Sequence, residues 1–354
     1  APWDKDRYQN YFLSNEDGTL TEAGKEDARI SKAAQTMAPV LNFGAPQGIE
    51  TAIYCPWEQI DAVPAEASVI GVHAAHKILC QIQIQADVIS YHNIRRGDLS
   101  KYKALLMPVS KHLSKDVAAA VAKFVQDGGI LVADMECGLY DEKHFETRAL
   151  EKVFGVKHVK DDETLSRFNF RDGDEMQIPA VRVGAAPFLA PVLPFARAEQ
   201  VNLLGNAKVE GRFRNGLPAV ISNKYGKGRT LYFSSALFNA CWNYSYMRAS
   251  WPYPACRENE LLNSIKPEIL EIFKTFLSEN GVKPAVEITP AEGANGGFQS
   301  TQYYIASLIG NDDALIAGVS YWGPVKARDV KVRFPSPKSG LRKVFCYDTA
   351  DETL

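Results

Sequence analysis

The chain has 354 residues, a formal net charge of −2, 46% hydrophobic and 23% charged residues. That length predicts about two domains, and the composition is that of a soluble protein whose core needs no disulfide or metal. The near-neutral balance, without a Lys/Arg block, argues against a nucleic-acid partner, and no run of about 18 apolar residues is present to span a membrane.

The first 47 residues do not read as a domain. Asn15-Glu16-Asp17-Gly18 is a turn signal. Thr21 is placed to cap a helix running through Ala28, Ile30 and Met37, with Pro39 expected beyond its end. One turn and one helix cannot bury a core alone. The start at Ala1-Pro2-Trp3-Asp4 and the stop after Asp348 both read as internal to a longer chain.

From Ile49 the pattern becomes α/β. Ile49 to Tyr54, Asp87 to Tyr91, Lys103 to Pro108 and Ile130 to Asp134 read as short apolar strands. Between them, a helix over about 65–80 places Val69, Val72, Ala75 or His76, and Leu79 on one face. A second helix, capped by Ser114, turns Val117, Val121, Phe124 and Val125 to one side and stops at Asp127-Gly128-Gly129. Strands alternating with amphipathic helices predict a mostly parallel sheet covered on both faces.

The style changes at about residue 195. Val209 to Phe213, Ala219 to Lys224 and Arg229 to Ser234 read as strands, with Arg214-Asn215-Gly216 and Tyr225-Gly226-Lys227-Gly228 as turns. A helix follows over about 260–279, kinked at Pro267 or starting near Lys266. From Pro284 the chain reads as all-β, with strands at Tyr303 to Ile309, Ala314 to Tyr321, Val330 to Phe334 and Lys343 to Tyr347, and a turn at Asn311-Asp312-Asp313. Three or four strands make part of a sandwich.

Three groups of residues carry chemistry worth following. The loop after Ile130 to Asp134 contains Cys137, which a neighbouring His112, His144 or His158 would have to activate, with Glu136 or Glu142 as orienter. The bland alternative is a loop thiol. His73 and His76 share a helix face at i, i+3, but no carboxylate joins them at helical spacing, so the expected metal set is none. The segment Cys241 to Tyr253 is rich in aromatics: Trp242, Tyr244, Tyr246, Arg248 and Trp251 suit either carbohydrate contact or an interface, as does Trp57 at the end of the first strand. Cys241 and Cys256 flank that loop, and in an oxidising compartment they are a candidate disulfide.

Three stretches in order carry a resemblance. Tyr11 to Thr21 is the first. Phe124-Val125-Gln126-Asp127-Gly128-Gly129-Ile130-Leu131-Val132 is the second. Leu217-Pro218-Ala219-Val220, followed by Lys224 to Tyr232, is the third. Together they resemble the family 42 β-galactosidases. The resemblance implies that residues 1–47 end a catalytic TIM barrel. It makes 48–283 an amidotransferase-like (flavodoxin-like) trimerisation domain and 284–354 the start of a C-terminal β-sandwich. Both catalytic glutamates of such enzymes sit on barrel strands with no counterpart here, so no catalytic residue is assigned. The chain is then a non-catalytic oligomerisation and cleft-framing portion, trimeric, meeting carbohydrate through its parent enzyme and needing no cofactor. The compartment stays open between bacterial cytoplasm and periplasm. The alternatives are a stand-alone amidotransferase-like hydrolase built on Cys137 and a non-catalytic carbohydrate-binding module.

Overall fold

The computed structural model describes residues 13–15, 17–41, 44–59, 65–159, 167–169, 175–183, 186–191, 197–213, 216–238, 241, 265, 267–290, 304–310, 315–321 and 330–335. They divide into a larger unit, 48–306 with 320–332, and a smaller one, 1–47 with 307–319 and 333–354.

The larger unit is organised by four short strands of small and branched apolar residues. These are β2 (Thr51–Tyr54), β3 (Ala86–Ile89), β4 (Ala104–Met107) and β5 (Ile130–Ala133). β2, β4 and β5 are buried at every position, which is why they read as continuous apolar runs. Side chains alternate across the pleat. Ile53, Ala104, Leu106, Ile130 and Val132 therefore enter one core, and Ala52, Tyr54, Leu105, Met107, Leu131 and Ala133 enter the other. Each large aliphatic side chain fully buried this way contributes about 1.5–3 kcal/mol.

Helix α2 (Ala65–Gln81) covers the first face through Val72, Ala75, Ile78 and Leu79. Val69 and His76, expected on that stripe, point outward, and Ala74 and Ile78 take their place. The helix period is 3.6, so a stripe rotated by about a fifth of a turn keeps Val72, Ala75 and Leu79 and selects those positions. Helix α6 (Pro267–Glu279) joins this face. Its proline begins the helix rather than kinking it, because a first-turn residue needs no amide hydrogen bond. On the opposite face lie α3 (Tyr91–Arg95), α4 (Lys115–Asp127) and α5 (Glu151–Phe154). The second strand thus stops at Ile89, and Tyr91 begins a short helix capped by Ser90.

The sheet has nine strands in the order β3-β2-β4-β5-β14-β13-β12-β8-β9, adding β8 (Glu175–Val183), β9 (Ala186–Pro191), β12 (Lys208–Phe213), β13 (Pro218–Tyr225) and β14 (Gly228–Phe233). The first five are parallel, and β14 pairs with β5 in the register Arg229↔Ile130. The rest are antiparallel. The turn between β13 and β14 tucks against the end of α4. A Cβ on Gly228 would lie 2.2 Å from the Val125 and Gly129 carbonyl oxygens, and one on Gly226 2.5 Å from that of Gln126. The Lys227 amide donates to the Gln126 carbonyl at 2.9 Å, satisfying an orphan helix-end acceptor. Beside these nine, small antiparallel pairs join β6 (Val156–His158) to β11 (Val201–Leu203) and β7 (Arg167–Asn169) to β10 (Arg197–Glu199). A third pair joins β15 (Glu287–Pro290) to β18 (Val330–Arg333).

The smaller unit holds α1 (Glu22–Leu41) and most of a three-stranded sheet in which β16 (Tyr304–Gly310) lies between β1 (Ala45–Pro46) and β17 (Leu315–Tyr321). Thr21 caps α1 as expected: its Oγ1 accepts the Gly24 amide at 3.0 Å. The helix runs on through Pro39 to Leu41, two residues past the proline expected to lie beyond it. A proline in the last turn forfeits one intrahelical bond without ending the helix at once. The strand expected at Lys343 to Tyr347 and the turn at Asn311 to Asp313 lie outside the described residues. No described helix is long and apolar enough to cross a membrane.

Candidate functional site

Parallel strands deliver their following loops to one edge, where α/β sheets bind ligands. Here that edge gathers the residues after β2, β4, β5 and β14. The loop after β2 is clamped hard. Glu58, with its side chain 6% exposed, accepts the Ser114 hydroxyl at 2.6 Å, the Ser114 amide at 3.3 Å and the Tyr54 hydroxyl at 3.0 Å. Ser114 occupies the cap position of α4, yet its hydroxyl donates to Glu58 and accepts no helix amide. The carboxylate therefore sits at the positive end of the helix. Gln59, fully buried, donates to the Val109 carbonyl and accepts the His112 amide at 3.0 Å. Immediately before these anchors, Trp57 is 52% exposed.

The loop after β5 is strained. Glu136, His144 and Arg148 all have left-handed backbones, with φ of 62°, 66° and 49°. Such residues cluster where the surroundings over-determine the chain. The Glu136 amide donates to the Tyr232 hydroxyl at 3.0 Å, and that hydroxyl donates to Glu199. Glu199 lies 3.2 Å from His158 Nε2, and His158 Nδ1 meets Glu151 at 2.8 Å. Burial would depress His158, but Glu199 and Glu151 outweigh it and raise the imidazole to about 9. The Glu136 carboxylate pairs with Lys111 at 3.1 Å. Beneath this network Asp134 is fully buried; burial pushes it up to about 8, against the amides of Val109 and Phe238 that its oxygens accept.

Cys137 does not form the centre expected of a nucleophile. It is 2% exposed, and burial, with Asp134 and Glu199 nearby, drives its thiol well above the ordinary range. A nucleophilic thiol needs the opposite shift. The histidines considered as its base are engaged elsewhere. His158 is held by two glutamates, and His112 Nε2 faces His144 Nδ1 at 2.7 Å. Glu136 pairs with Lys111 rather than orienting a base, and Glu142 is exposed. His73 and His76 lie on the outward side of α2, where His76 meets Cys80 Sγ at 3.6 Å. Among the described residues, no group of three His, Cys, Asp or Glu side chains is placed to hold a metal. Trp242, Tyr244, Tyr246, Arg248, Trp251 and Cys256 lie outside the described residues; Cys241 is buried.

The buried network was not readable from the sequence. Glu151, Glu199 and Tyr232 carry no motif, and they meet His158 of β6 only because α5, β10 and β14 converge on it. Glu136 offered one signal, its place just beyond an apolar strand and one residue before Cys137.

Comparison with known proteins follows this geometry. The model of the β-galactosidase trimerisation domain matches residues 67–249, more than half of the chain. The chain is 23% identical over 312 residues to the β-galactosidase BgaA of Planococcus sp. (strain 'SOS Orange'), covering 83% of this chain and 41% of that protein. The chain thus spans about two fifths of that relative's length. Among solved structures it resembles the β-galactosidase of Rahnella sp. R3, with a TM-score of 0.60 and 18% identity over 88% of this chain and 41% of that one. It also resembles the α-L-fucosidase isoenzyme 2 of Paenibacillus thiaminolyticus, with a TM-score of 0.55 and 13% identity over 90% and 45%. Identities this low show a shared fold and nothing finer. The family match over more than half the length places the chain itself: it belongs to the β-galactosidase trimerisation-domain family.

Proposed function

We propose that these 354 residues are a non-catalytic, oligomerising and cleft-framing portion of a β-galactosidase-like glycoside hydrolase. The parent would cleave terminal β-galactosides or related sugars through two carboxylates carried elsewhere in the enzyme. The observation that carries this reading is the trimerisation-domain match over residues 67–249. The buried Cys137, with its raised thiol and no imidazole bonded to it, supports it by leaving the hydrolase alternative without a nucleophile. Residues 1–47 are then the closing turn and helix of the catalytic barrel, 48–283 the trimerisation domain and 284–354 the start of the sandwich. Leu13, Leu20 and Ile30, all exposed in the smaller unit, fit an element that packs against more polypeptide. A three-fold ring requires two different patches per subunit.

Trp57 supports a second role at the same edge. An exposed indole next to two clamped residues is a rigid platform for a sugar ring or for a partner's apolar surface. The loop carrying Trp242, Tyr244, Tyr246, Arg248 and Trp251 is proposed for the same contact. The test is the mass of the purified chain by light scattering, alongside assay with a chromogenic galactoside. A trimer without hydrolysis is expected. A monomer removes the oligomerising role, and turnover by the chain alone overturns the non-catalytic one.

A further inference from the structure

Independently of that reading, the loop after β5 carries a device that no catalytic or oligomerising role requires. His112, 1% exposed, projects from the segment between β4 and α4. His144, on the solvent side, sits at the far end of the β5 loop. Their rings stack at 5.0 Å with Nε2 and Nδ1 only 2.7 Å apart. Tyr140 stacks on both, at 5.3 Å from His112 and 4.3 Å from His144. A contact that short between two imidazole nitrogens requires one donor and one acceptor, so the nitrogens facing each other hold a single proton.

The surroundings leave a second proton without support. His112 Nδ1 is buried and has no hydrogen-bond partner. Around the ring lie Lys111 from its own segment, and Glu136, Asp141, Tyr140 and His144 from the β5 loop. The β2 loop supplies the neutral Gln59, whose oxygen accepts the His112 amide. Glu58, Arg95 and Asp116 are engaged two residues on, at Ser114. The nearest cation, Lys111, also lies over the Tyr140 ring at 5.2 Å and opposes further positive charge. Burial, then His144 and Lys111, holds His112 down at about 4.

What the pair fastens is a turn already under strain. His144 is left-handed, and the turn closes through Asp141, whose amide donates to the Phe145 carbonyl at 2.9 Å and whose Oδ1 accepts the Lys143 and Phe145 amides. Phe145 itself is 66% exposed, so little apolar burial secures the turn. It is attached through the ring stack, through the Tyr140 bonds to Lys111 and Leu113, at 3.1 and 2.9 Å, and through the Glu146 carboxylate paired with Arg148.

We propose that the His112–His144 pair is an acid-operated latch: double protonation places two cations against each other, breaks the stack and frees the 141–146 turn from the sheet edge. The whole chain tests it by hydrogen exchange, with protection of 139–147 corrected for the intrinsic pH dependence of exchange. Protection is expected to fall at least tenfold between pH 7 and pH 4 in that segment, and not in β4 or β5. His144→Asn keeps a residue that tolerates the left-handed backbone and removes the second imidazole; its protection should change far less with pH than the wild type's. A wild-type segment equally protected at both pH values overturns the latch, and so does an Asn variant that opens as the wild type does. Should that variant fail to fold, the wild-type imidazole resonances decide. One proton taken up far below the ordinary histidine range supports the latch, and two independent titrations near pH 6.5 overturn it.

Discussion

Replacing His158 by Gln, which is uncharged, tests the buried network beneath the β5 loop. In the fold the imidazole is raised from 6.5 to about 9 by Glu199 and Glu151. The interval is about 2.5 pH units, and at about 1.4 kcal/mol per unit the charged histidine contributes about 3 kcal/mol. The side chain is only 10% exposed, so solvent screening removes little of that. The sign follows from the raised value. The contribution is fully present below pH 6.5 and is lost as pH climbs through about 9. Urea unfolding by circular dichroism, in steps from pH 6 to pH 10, would read it. The wild type should lose about 3 kcal/mol across that range, with most of the loss before pH 9. The Gln variant should start about 3 kcal/mol lower at pH 6, since buried Glu199 loses its cation and half-buried Glu151 keeps only Arg148, and its curve should be shallower. Parallel curves for the two proteins would refute the assignment of charge to His158.

Two further outcomes bear on the packing and the thiol. Gly228→Ala should cost at least about 3 kcal/mol, or prevent folding, because the new methyl meets backbone oxygens at 2.2 Å that cannot step aside; Gly216→Ala, with open space around it, should cost only about 1 kcal/mol for its left-handed backbone. Cys137 should resist iodoacetamide at pH 8 in the folded protein and react on addition of urea, as followed by mass spectrometry. Fast labelling of the native protein would return the nucleophile to consideration.

The parallel half of the sheet was legible because β4 and β5 are apolar at every position, β2 and β3 at most, and its helices carry apolar stripes and caps. Thr21, Ser114 and Gly128 each marked a helix end within a residue or two. The hairpin of β8 and β9 was not legible: Pro179, Pro187 and Pro191 interrupt both runs, and proline argues against strand wherever an amide must pair. β6 and β11, three residues each, are too short for a period to appear. Around the candidate site, spacing along the chain placed histidines near Cys137 and was misleading, because proximity in sequence does not set where a ring points. His112 and His144 met each other, and His158 met Glu151 from α5 and Glu199 from β10. Lone charged residues carry no pattern until the topology brings them together.

The β5–β14 seam, where Ile130 lies beside Arg229, also dictates an order of events. Everything on the β3 side of it is built from neighbours in the chain: β2, α2, β3, β4, α4 and β5 follow one another with short connections. The seam closes only when a segment about a hundred residues later arrives, and pairings that distant form slowly. On a ribosome, β5 would therefore wait as a bare sheet edge while the intervening stretch is made. An unpaired apolar strand is a site for wrong partners. The glycines at the β13–β14 turn, fitting only against the finished end of α4, make the correct hairpin the one that can close that edge.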